Sequence, residues 1–262
     1  MPRMLANLLL KIYGLKRFLL YPRFFRDWFY FRSLAGKAPR LAVGWKDLLP
    51  IIGEATAQTG FDRHYIYHTA WAARVLAAAR PAFHVDISSS LYFCALVSAF
   101  VPVRFYDFRP APLALSGLTC GQADVSKLPF KDNEIESLSC MHVIEHVGLG
   151  RYGDKLDYDG DLKAISELKR VLAPGGVLLF VAPIGKPKIM FNAHRIYSYE
   201  QVKEYFKELE LKEFALIPRA GDGELVINPP KALADSQDYG CGCFWFVKPI
   251  VIPTESGSIA GV

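Results

Sequence analysis

The hydrophobic and polar positions of the chain follow two regimes, and the change between them comes near residue 81. Residues 62–80 repeat apolar side chains at helical spacing, and Pro81 ends the predicted helix. Beyond it, short apolar runs of strand length alternate with stretches of helical period. These runs predict strands over 83–87, 103–108, 118–123, 135–142, 177–182, 211–217 and 243–247, and helices over 91–101, 162–172 and 198–209.

Strands that alternate with helices are typical of an α/β domain. The run Val177–Ala182 is almost wholly apolar, as expected for a parallel strand that is covered on both faces. The last two predicted strands could close the sheet edge as an antiparallel pair. We therefore predict a Rossmann-like, doubly wound, mostly parallel sheet of about seven strands in residues 61–250. Residues 1–60 are predicted to be a helical extension, and residues 251–262 a flexible tail.

The first 35 residues are rich in Leu, aromatic residues, Arg and Lys, and they predict one or two helices with a bend or a start at Pro22. Residues 1–40 contain nine cationic residues and one acid, Asp27, a net charge of +8 that leaves −3 for the rest of the chain. The extension either packs as a cap on the main domain or contacts an anionic membrane surface with its aromatic and cationic side chains.

No segment predicts a membrane span or a signal peptide, because Arg and Lys interrupt every apolar run before it reaches roughly 18 residues. A cytoplasmic protein, peripheral at the inner membrane, is therefore expected. Five cysteines without a disulfide framework fit a reducing compartment. The pair Cys241 and Cys243 lies in an apolar run and is interpreted as buried strand residues, so no metal is expected.

Acidic residues end three successive predicted strands. They are Asp86, Asp107 and Asp124, and Asp107 follows Asp86 by 21 residues. This spacing is close to that between a nucleotide-binding loop and the acid that accepts hydrogen bonds from ribose hydroxyls. Ligands of open α/β sheets bind beyond the carboxyl ends of the strands, and the fourth strand ends there with Met141 and His142.

The order of these groups resembles the class I S-adenosylmethionine-dependent methyltransferases. Residues 123–130 match the segment after the third strand, and residues 167–176 match the helix that ends in Pro-Gly-Gly before the fifth strand. The resemblance covers roughly residues 83–185 and implies S-adenosylmethionine as the cofactor. It gives as candidate cofactor-binding residues Asp86, Ser88, Ser90, Asp107, Asp124 and Met141.

One feature departs from that family. Its first loop has glycines at two positions where the backbone approaches the ligand and takes positive φ, whereas this chain has Ser88 and Ser90. A serine adds a Cβ that crowds the approach and a hydroxyl that could bond the carboxylate of a bound methionine moiety. The loop therefore either binds the cofactor in a modified way or no longer binds it.

Residues 145–154 and 192–198 resemble a narrower methyltransferase-like family, which has only a domain-of-unknown-function label and often accompanies polysaccharide genes. For a hydroxyl acceptor, a base near the transferred methyl group would help, and histidine suits that role near neutral pH. The candidate catalytic residues are His146 first, then His142 and Glu145. Candidate substrate-binding residues are Arg151, Tyr152, Asp154, Asn192, His194 and Arg195.

Each of these candidates also has a structural interpretation. His146 could cap or pack a helix start, residues 148–154 could be an ordinary glycine-rich turn, and residues 192–195 could be a structural loop network. The expected function is methyl transfer to a sugar, polysaccharide or glycolipid intermediate. The alternative is a catalytically silent protein that binds a glycan or a partner enzyme. The basic extension would also suit nucleic acid, but no nucleic-acid module is evident, and the oligomeric state is not predicted.

Overall fold

The computed structural model describes residues 18–36, 39–219 and 224–250, which divide into two compact units after Phe61. The first unit contains helix α1, Tyr21–Leu34, and a one-turn 3₁₀ helix, Trp45–Asp47. Pro22 lies in the first turn of α1, where its missing N–H would have no intrahelical partner in any case. The remaining predictions for residues 1–17 and for the tail 251–262 lie outside the described residues.

The second unit begins at Asp62, whose carboxylate accepts a hydrogen bond of 3.2 Å from the Tyr65 N–H and so caps the first helix. Its helices are α2 (Arg63–Ala79), α3 (Leu91–Val97), α4 (Gly160–Val171), α5 (Tyr199–Tyr205) and α6 (Lys231–Asp235). Its strands are β1 (His84–Ile87), β2 (Val103–Asp107), β3 (Leu118–Gln122), β4 (Ile135–Met141), β5 (Leu172–Ile184), β6 (Lys188–Met190), β7 (His194–Ile196), β8 (Glu210–Ile217), β9 (Val226–Ile227) and β10 (Gly240–Val247).

Eight of these strands form one sheet in the order β3-β2-β1-β4-β5-β10-β8-β9. Strands β1 to β5 pair in parallel, whereas β10 is antiparallel to both β5 and β8. The predicted doubly wound, mostly parallel sheet with an antiparallel edge is thereby confirmed. The eighth strand, β9, was missed because two residues are too short to show a period. The chain order reverses between β1 and β4, which opens a crevice at their carboxyl ends.

The two faces of the sheet bury two separate apolar clusters, and β5 supplies both. Its Leu178 and Phe180 face the cluster under α4 and α5, whereas Leu179 and Val181 face the cluster under α2 and α3. This division follows from the period of two in a strand. The side chains of β10 alternate between the two clusters in the same way. Cys241 and Cys243 are both buried in this strand, which confirms the prediction.

Two predicted element boundaries are wrong for local reasons. The helix expected over 91–101 ends at Val97, since a turn at Ser98–Phe100 precedes Pro102. The Pro-Gly-Gly segment lies inside β5 as an irregularity of the β4–β5 pairing, with Gly175 at φ +78°, rather than between a helix and a strand. Residues 192–195, for which a structural loop network was one interpretation, belong to the hairpin of β6 and β7.

In the part of the chain that the structure describes, no helix has the length and hydropathy needed to cross a bilayer.

Candidate functional site

A cavity of about 610 Å³ lies in the second unit at the carboxyl ends of β1 to β4. Its walls come from the loops that follow these strands and from the first turn of α2. The predicted site residues that line it are Ser88, Asp107, Asp124, His142, His146, Tyr152 and Asp154. The sequence interpretation did not single out Ser89, Arg109 and Lys155, which also line it.

Asp86 lies beneath this cavity and is fully buried. Its carboxylate accepts the Ser89 N–H at 3.0 Å and the hydroxyl of Ser139. The same Ser139 oxygen lies 2.8 Å from Nε2 of His84, which is also buried. Burial lowers the pKa of His84 to about 3, so the ring is neutral and its Nε2–H donates to Ser139. Asp86 therefore shapes the loop from below, which corrects its prediction as a direct cofactor ligand.

Burial also raises the pKa of Asp86 to about 6, and the hydrogen bonds from Ser139 and Ser89 limit the rise. An ionised carboxylate without a cationic partner is costly to bury, since it loses its hydration. At neutral pH the ionised carboxylate of Asp86 therefore destabilises the folded state.

Ser88 takes the left-handed backbone conformation, with φ of +55°, that the glycine of the family loop would take. Its hydroxyl and its N–H both donate to the Tyr106 carbonyl, at 3.1 and 2.7 Å. The hydroxyl proton is therefore turned back to the sheet in this structure. Ser90 precedes α3 without a side-chain cap and does not line the cavity.

The hydroxyl of Ser89 ties the loop to the neighbouring strand by accepting the Met141 N–H at 3.0 Å. Met141 itself is buried in the apolar core, so its predicted contact with the cofactor is wrong for the side chain.

Two acids face the cavity from neighbouring strand ends. Asp107 accepts the Arg109 N–H at 2.7 Å, and Asp124 accepts the N–H and the hydroxyl of Ser126 at 2.8 and 2.7 Å. In both residues the acceptor is Oδ1, so each carboxylate is oriented by its own loop. Both acids lie where the sequence placed them.

The loop Gly148–Asp154 closes around one carboxylate. Asp154 accepts the N–H groups of Gly148, Gly150 and Tyr152 at 2.8, 3.2 and 3.1 Å. Burial raises the pKa of Asp154, but the hydrogen bonds from these amides outweigh it and hold the pKa below its usual range. Gly148 has φ of +79°, and a Cβ there would lie 2.1 Å from the Asp157 carbonyl oxygen. Asp154 thus organises the loop, which supports the structural interpretation of this turn.

Tyr152 stands at the rim of the cavity between two guanidinium groups. Arg109 lies 4.6 Å and Arg151 lies 5.1 Å from the centre of its ring. Arg151 also donates to the Ala193 carbonyl at 3.1 Å. The cationic and aromatic groups expected for substrate binding are thereby brought together, with Arg109 added from the loop after β2.

Arg195 is buried and binds only structural groups among the described residues, which corrects its prediction as a substrate contact. Its guanidinium donates to the carbonyls of Val147 and Tyr158 at 2.6 and 2.9 Å and lies 3.5 Å from the Asp161 carboxylate. Asn192 is exposed in the turn between β6 and β7 and does not line the cavity.

The three candidate catalytic residues form a contiguous group. His142 donates from Nδ1 to Oε1 of Glu145 at 2.8 Å, and Nε2 of His146 lies 3.8 Å from the same oxygen. Nδ1 of His146 donates to the Ala193 carbonyl at 2.6 Å, so its Nε2 is the basic nitrogen of the neutral ring. Burial raises the pKa of Glu145, but the hydrogen bond from His142 and the neighbouring imidazoles hold it below its usual range.

Side chains from distant segments complete this group. The ring centres of His64 and His68, on α2, lie 5.7 and 5.1 Å from that of His142, and His194, on β7, is 6.5 Å from His146. Five of the six histidines of the chain therefore gather around Glu145. Burial lowers the pKa of His64 to about 4 and lowers those of His68 and His194.

No sequence signal linked His64 and His68 to the site. They precede it by more than 70 residues and belong to a helix whose period indicated only a buried face. Tyr239, whose ring is 5.2 Å from His64 and 5.0 Å from His194, comes from the opposite end of the domain. The strand order and the packing of helix α2 on the sheet bring these segments together.

The fold is that of class I methyltransferases. The 1,6-didemethyltoxoflavin-N1-methyltransferase of Burkholderia thailandensis, solved with 1,6-didemethyltoxoflavin and S-adenosylhomocysteine bound, is 13% identical, with a TM-score of 0.50 over 70% of this chain and 79% of that one. A candidate sarcosine dimethylglycine methyltransferase of Galdieria sulphuraria has the same identity and TM-score over 70% of this chain and 85% of its own.

Two sequence matches are more local. Residues 129–211 match the family described as Caenorhabditis protein of unknown function, DUF268. Both segments on which the narrower resemblance depended, 145–154 and 192–198, lie inside this range. An uncharacterised protein of Methanocaldococcus jannaschii is 29% identical over 94 residues, which are 36% of this chain and 34% of that protein. The chain thus matches about a third of that relative's length.

Proposed function

We propose that the protein is an S-adenosylmethionine-dependent methyltransferase. The observation that supports this most is the cavity itself: on a methyltransferase fold, Asp107 and Asp124 line it from successive strand ends. Asp107 would accept from the ribose hydroxyls and Asp124 from the adenine amine. Ser88 keeps the left-handed turn of the family loop, so the backbone path is compatible with a bound methionine moiety.

When bound, the cofactor supplies a methyl group on a positively charged sulfur, and the protein has to align an acceptor with it. His146 lines the cavity with Nε2 as its basic nitrogen, so it can take the proton of an acceptor hydroxyl. The Glu145 carboxylate at 3.8 Å stabilises the imidazolium that results. His142 holds that carboxylate in place through its own hydrogen bond.

For the acceptor, we propose a sugar or a polysaccharide or glycolipid intermediate. An exposed aromatic ring at the rim, Tyr152, suits an apolar sugar face, and Arg109 and Arg151 beside it suit a phosphate or carboxylate group. A nucleotide-linked or lipid-linked sugar presents both chemistries in one molecule.

A catalytically silent glycan- or partner-binding protein is the second candidate. It is favoured by the serines at 88 and 90, since a Cβ and a hydroxyl stand where the family has glycine. In that case the cavity and the Tyr152 rim would bind a glycan without methyl transfer.

Transfer of a labelled methyl group to nucleotide-linked and lipid-linked sugars separates the two functions. The wild-type chain should label an acceptor, and His146→Gln should reduce the rate by about 10²- to 10⁴-fold without a matching loss of cofactor affinity. Cofactor binding by the wild type without transfer to any acceptor of either class would favour the silent protein. A His146→Gln variant as fast as the wild type would remove His146 from the chemistry.

The first unit suggests where the protein works. Helix α1 exposes Phe29, Tyr30 and Phe31, each to 59–66%, and it also exposes Arg23, Arg26 and Arg32. Aromatic and cationic side chains on one exposed helix suit the interface of an anionic membrane. We propose that residues 1–35 hold the protein at the cytoplasmic face of the inner membrane, close to a lipid-linked acceptor.

A further inference from the structure

Three side chains from separate segments meet beside the cavity with the chemistry of metal ligands. His64 comes from the first turn of α2, His142 from the end of β4, and Cys241 from the start of β10. One ligand atom of each lies within 4.8 Å of those of the other two. His142 and Cys241 are buried and His64 is half-buried, so the group is screened from bulk water on most sides.

The hydrogen bond of His142 leaves one ring nitrogen available to a ligand. Because Nδ1 is directed at Glu145, Nε2 is the nitrogen that can bind a ligand. This Nε2 is buried and has no hydrogen-bond partner among the residues that the structure describes. A polar atom left unpaired in the interior loses its hydration without compensation, so such groups call for an explanation.

Glu145 supplies a second, independent observation. Its side chain is 1% exposed, its Oε2 also lacks a partner within the described residues, and its Oε1 accepts from His142. A histidine that ligates a metal characteristically donates its other N–H to a carboxylate, which fixes the tautomer and increases the basicity of the ligand. His142 also takes a left-handed backbone conformation, φ +58°, that residues other than glycine adopt rarely.

We propose that His64, Nε2 of His142 and Sγ of Cys241 bind a Zn²⁺ ion. Two imidazoles and a thiolate form a ligand set that selects a borderline-soft cation such as zinc over Mg²⁺ or Ca²⁺, which prefer oxygen ligands. Three protein ligands leave a fourth position for water or for an acceptor group. Ligand atoms of a tetrahedral zinc site are roughly 3.3–3.8 Å apart, so binding would draw the three side chains together by about 1 Å.

Binding of Zn²⁺ needs no further reactant. Zn²⁺ replaces the thiol proton of Cys241, which is released to solvent, while both imidazoles bind as neutral rings. The ion would lie beside His142, which lines the cavity, and its positive charge would compensate the buried Glu145 carboxylate. The sequence expectation that no metal is bound would then be wrong, because it considered only the Cys241–Cys243 pair.

Cys243 provides a matched control. It lies two residues along the same strand, is as fully buried as Cys241 and belongs to the same apolar cluster. Replacing either cysteine with serine makes the same chemical change in the same strand. Only Cys241 belongs to the group with His64 and His142.

The experiment uses the full chain stripped of metal with a chelator and then titrated with Zn²⁺ and, separately, with Co²⁺. We expect about one Zn²⁺ per chain with a dissociation constant below about 1 μM, and a thiolate-to-cobalt charge-transfer band. Cys241→Ser should abolish the band and weaken Zn²⁺ binding at least about tenfold, as ligand loss does, whereas Cys243→Ser keeps both. His64→Gln tests the same site at a half-buried position if Cys241→Ser does not fold.

Absence of stoichiometric Zn²⁺ binding to the wild type would overturn the proposal, and so would equal losses in the two cysteine variants. The readout is the metal alone, so it does not depend on S-adenosylmethionine. Titration of the metal-free chain with S-adenosylhomocysteine measures cofactor binding separately, which keeps a failure of one proposal distinct from a failure of the other.

Discussion

Nδ1 of His142 lies 2.8 Å from Oε1 of Glu145, and the two side chains are 5% and 1% exposed. This buried pair stands where the parallel strands end, and His142 both lines the cavity and lies close to His64 and Cys241. The carboxylate faces His146 as well, at 3.8 Å. Glu145 thus orients His142, itself a candidate metal ligand, and lies beside His146, the candidate base.

The backbone conformation of Ser88 predicts that a glycine variant at this position is more stable than an alanine variant. Both Ser88→Gly and Ser88→Ala remove the hydroxyl that donates to Tyr106, but only glycine takes φ of +55° without strain. The glycine variant should therefore have a free energy of unfolding about 1 kcal/mol higher than the alanine variant, measured by urea denaturation.

The same pair of substitutions at Ser166 serves as the control. This residue is exposed within α4, where glycine costs about 1 kcal/mol relative to alanine, so the order of the two variants should reverse. If alanine were the more stable variant at both positions, the turn would not be the glycine-like one described.

Asp86 predicts a dependence of stability on pH. Its pKa in the folded protein, about 6, lies above the ordinary value of 3.8. A raised pKa means that the folded state holds the proton more tightly than the unfolded state does. The contribution of Asp86 to the free energy of unfolding is therefore complete below pH 4 and is lost as the pH rises through 6. The free energy of unfolding of the wild type relative to Asp86→Asn should therefore fall by up to about 3 kcal/mol between pH 4 and pH 7.

Urea denaturation of both proteins across this pH range measures the difference directly. Other titrating groups are common to the two proteins and cancel. If the free energy of unfolding of the wild type relative to Asp86→Asn did not change with pH, or rose with it, Asp86 would not be the buried acid without a cationic partner that the structure describes.

The exposed arginines of α1 predict binding to anionic vesicles. Each cation near such a surface contributes about 1 kcal/mol, so a variant with Arg23, Arg26 and Arg32 all changed to Gln should bind about a hundredfold more weakly. Vesicle sedimentation at low and moderate salt measures this. A variant with Lys203, Lys207 and Lys212 changed to Gln loses the same charge from the second unit and should bind as the wild type does. Equal weakening in both variants, or no sedimentation of the wild type, would refute a specific role for residues 1–35.

Much of the fold could be predicted from the sequence because its strands are apolar runs with clear ends. Asp107 and Asp124 were placed correctly, since a residue that ends a parallel strand must lie at the carboxyl edge of the sheet. The short strand β9 and the β6–β7 hairpin were missed, because a few residues give no measurable period. The position of Pro174–Gly176 inside β5 depends on a local irregularity of strand pairing, which only the neighbouring strand reveals.

The site was harder to predict, because side-chain direction and long-range neighbours decide it. Asp86, Met141 and Arg195 have suitable chemistry and lie near the right place, yet each is buried. His64 and Cys241 lie 177 residues apart and meet only because helix α2 packs against strand β10 in the fold. The position of a residue in the chain was enough to predict that it lies at the carboxyl edge of the sheet. Whether its side chain lines the cavity depends on packing, which the sequence does not reveal.

Calorimetric titration of the full chain with S-adenosylhomocysteine measures whether the cavity binds the methyltransferase cofactor. We expect a dissociation constant of about 1–100 μM for the wild type and affinity at least about tenfold weaker for Asp107→Ala. Asp132→Ala, which removes an acid outside the cavity, should bind as the wild type does. No heat from the wild type at high micromolar cofactor would mean that the cavity does not bind it, and unchanged affinity in Asp107→Ala would mean that Asp107 does not hold the ribose.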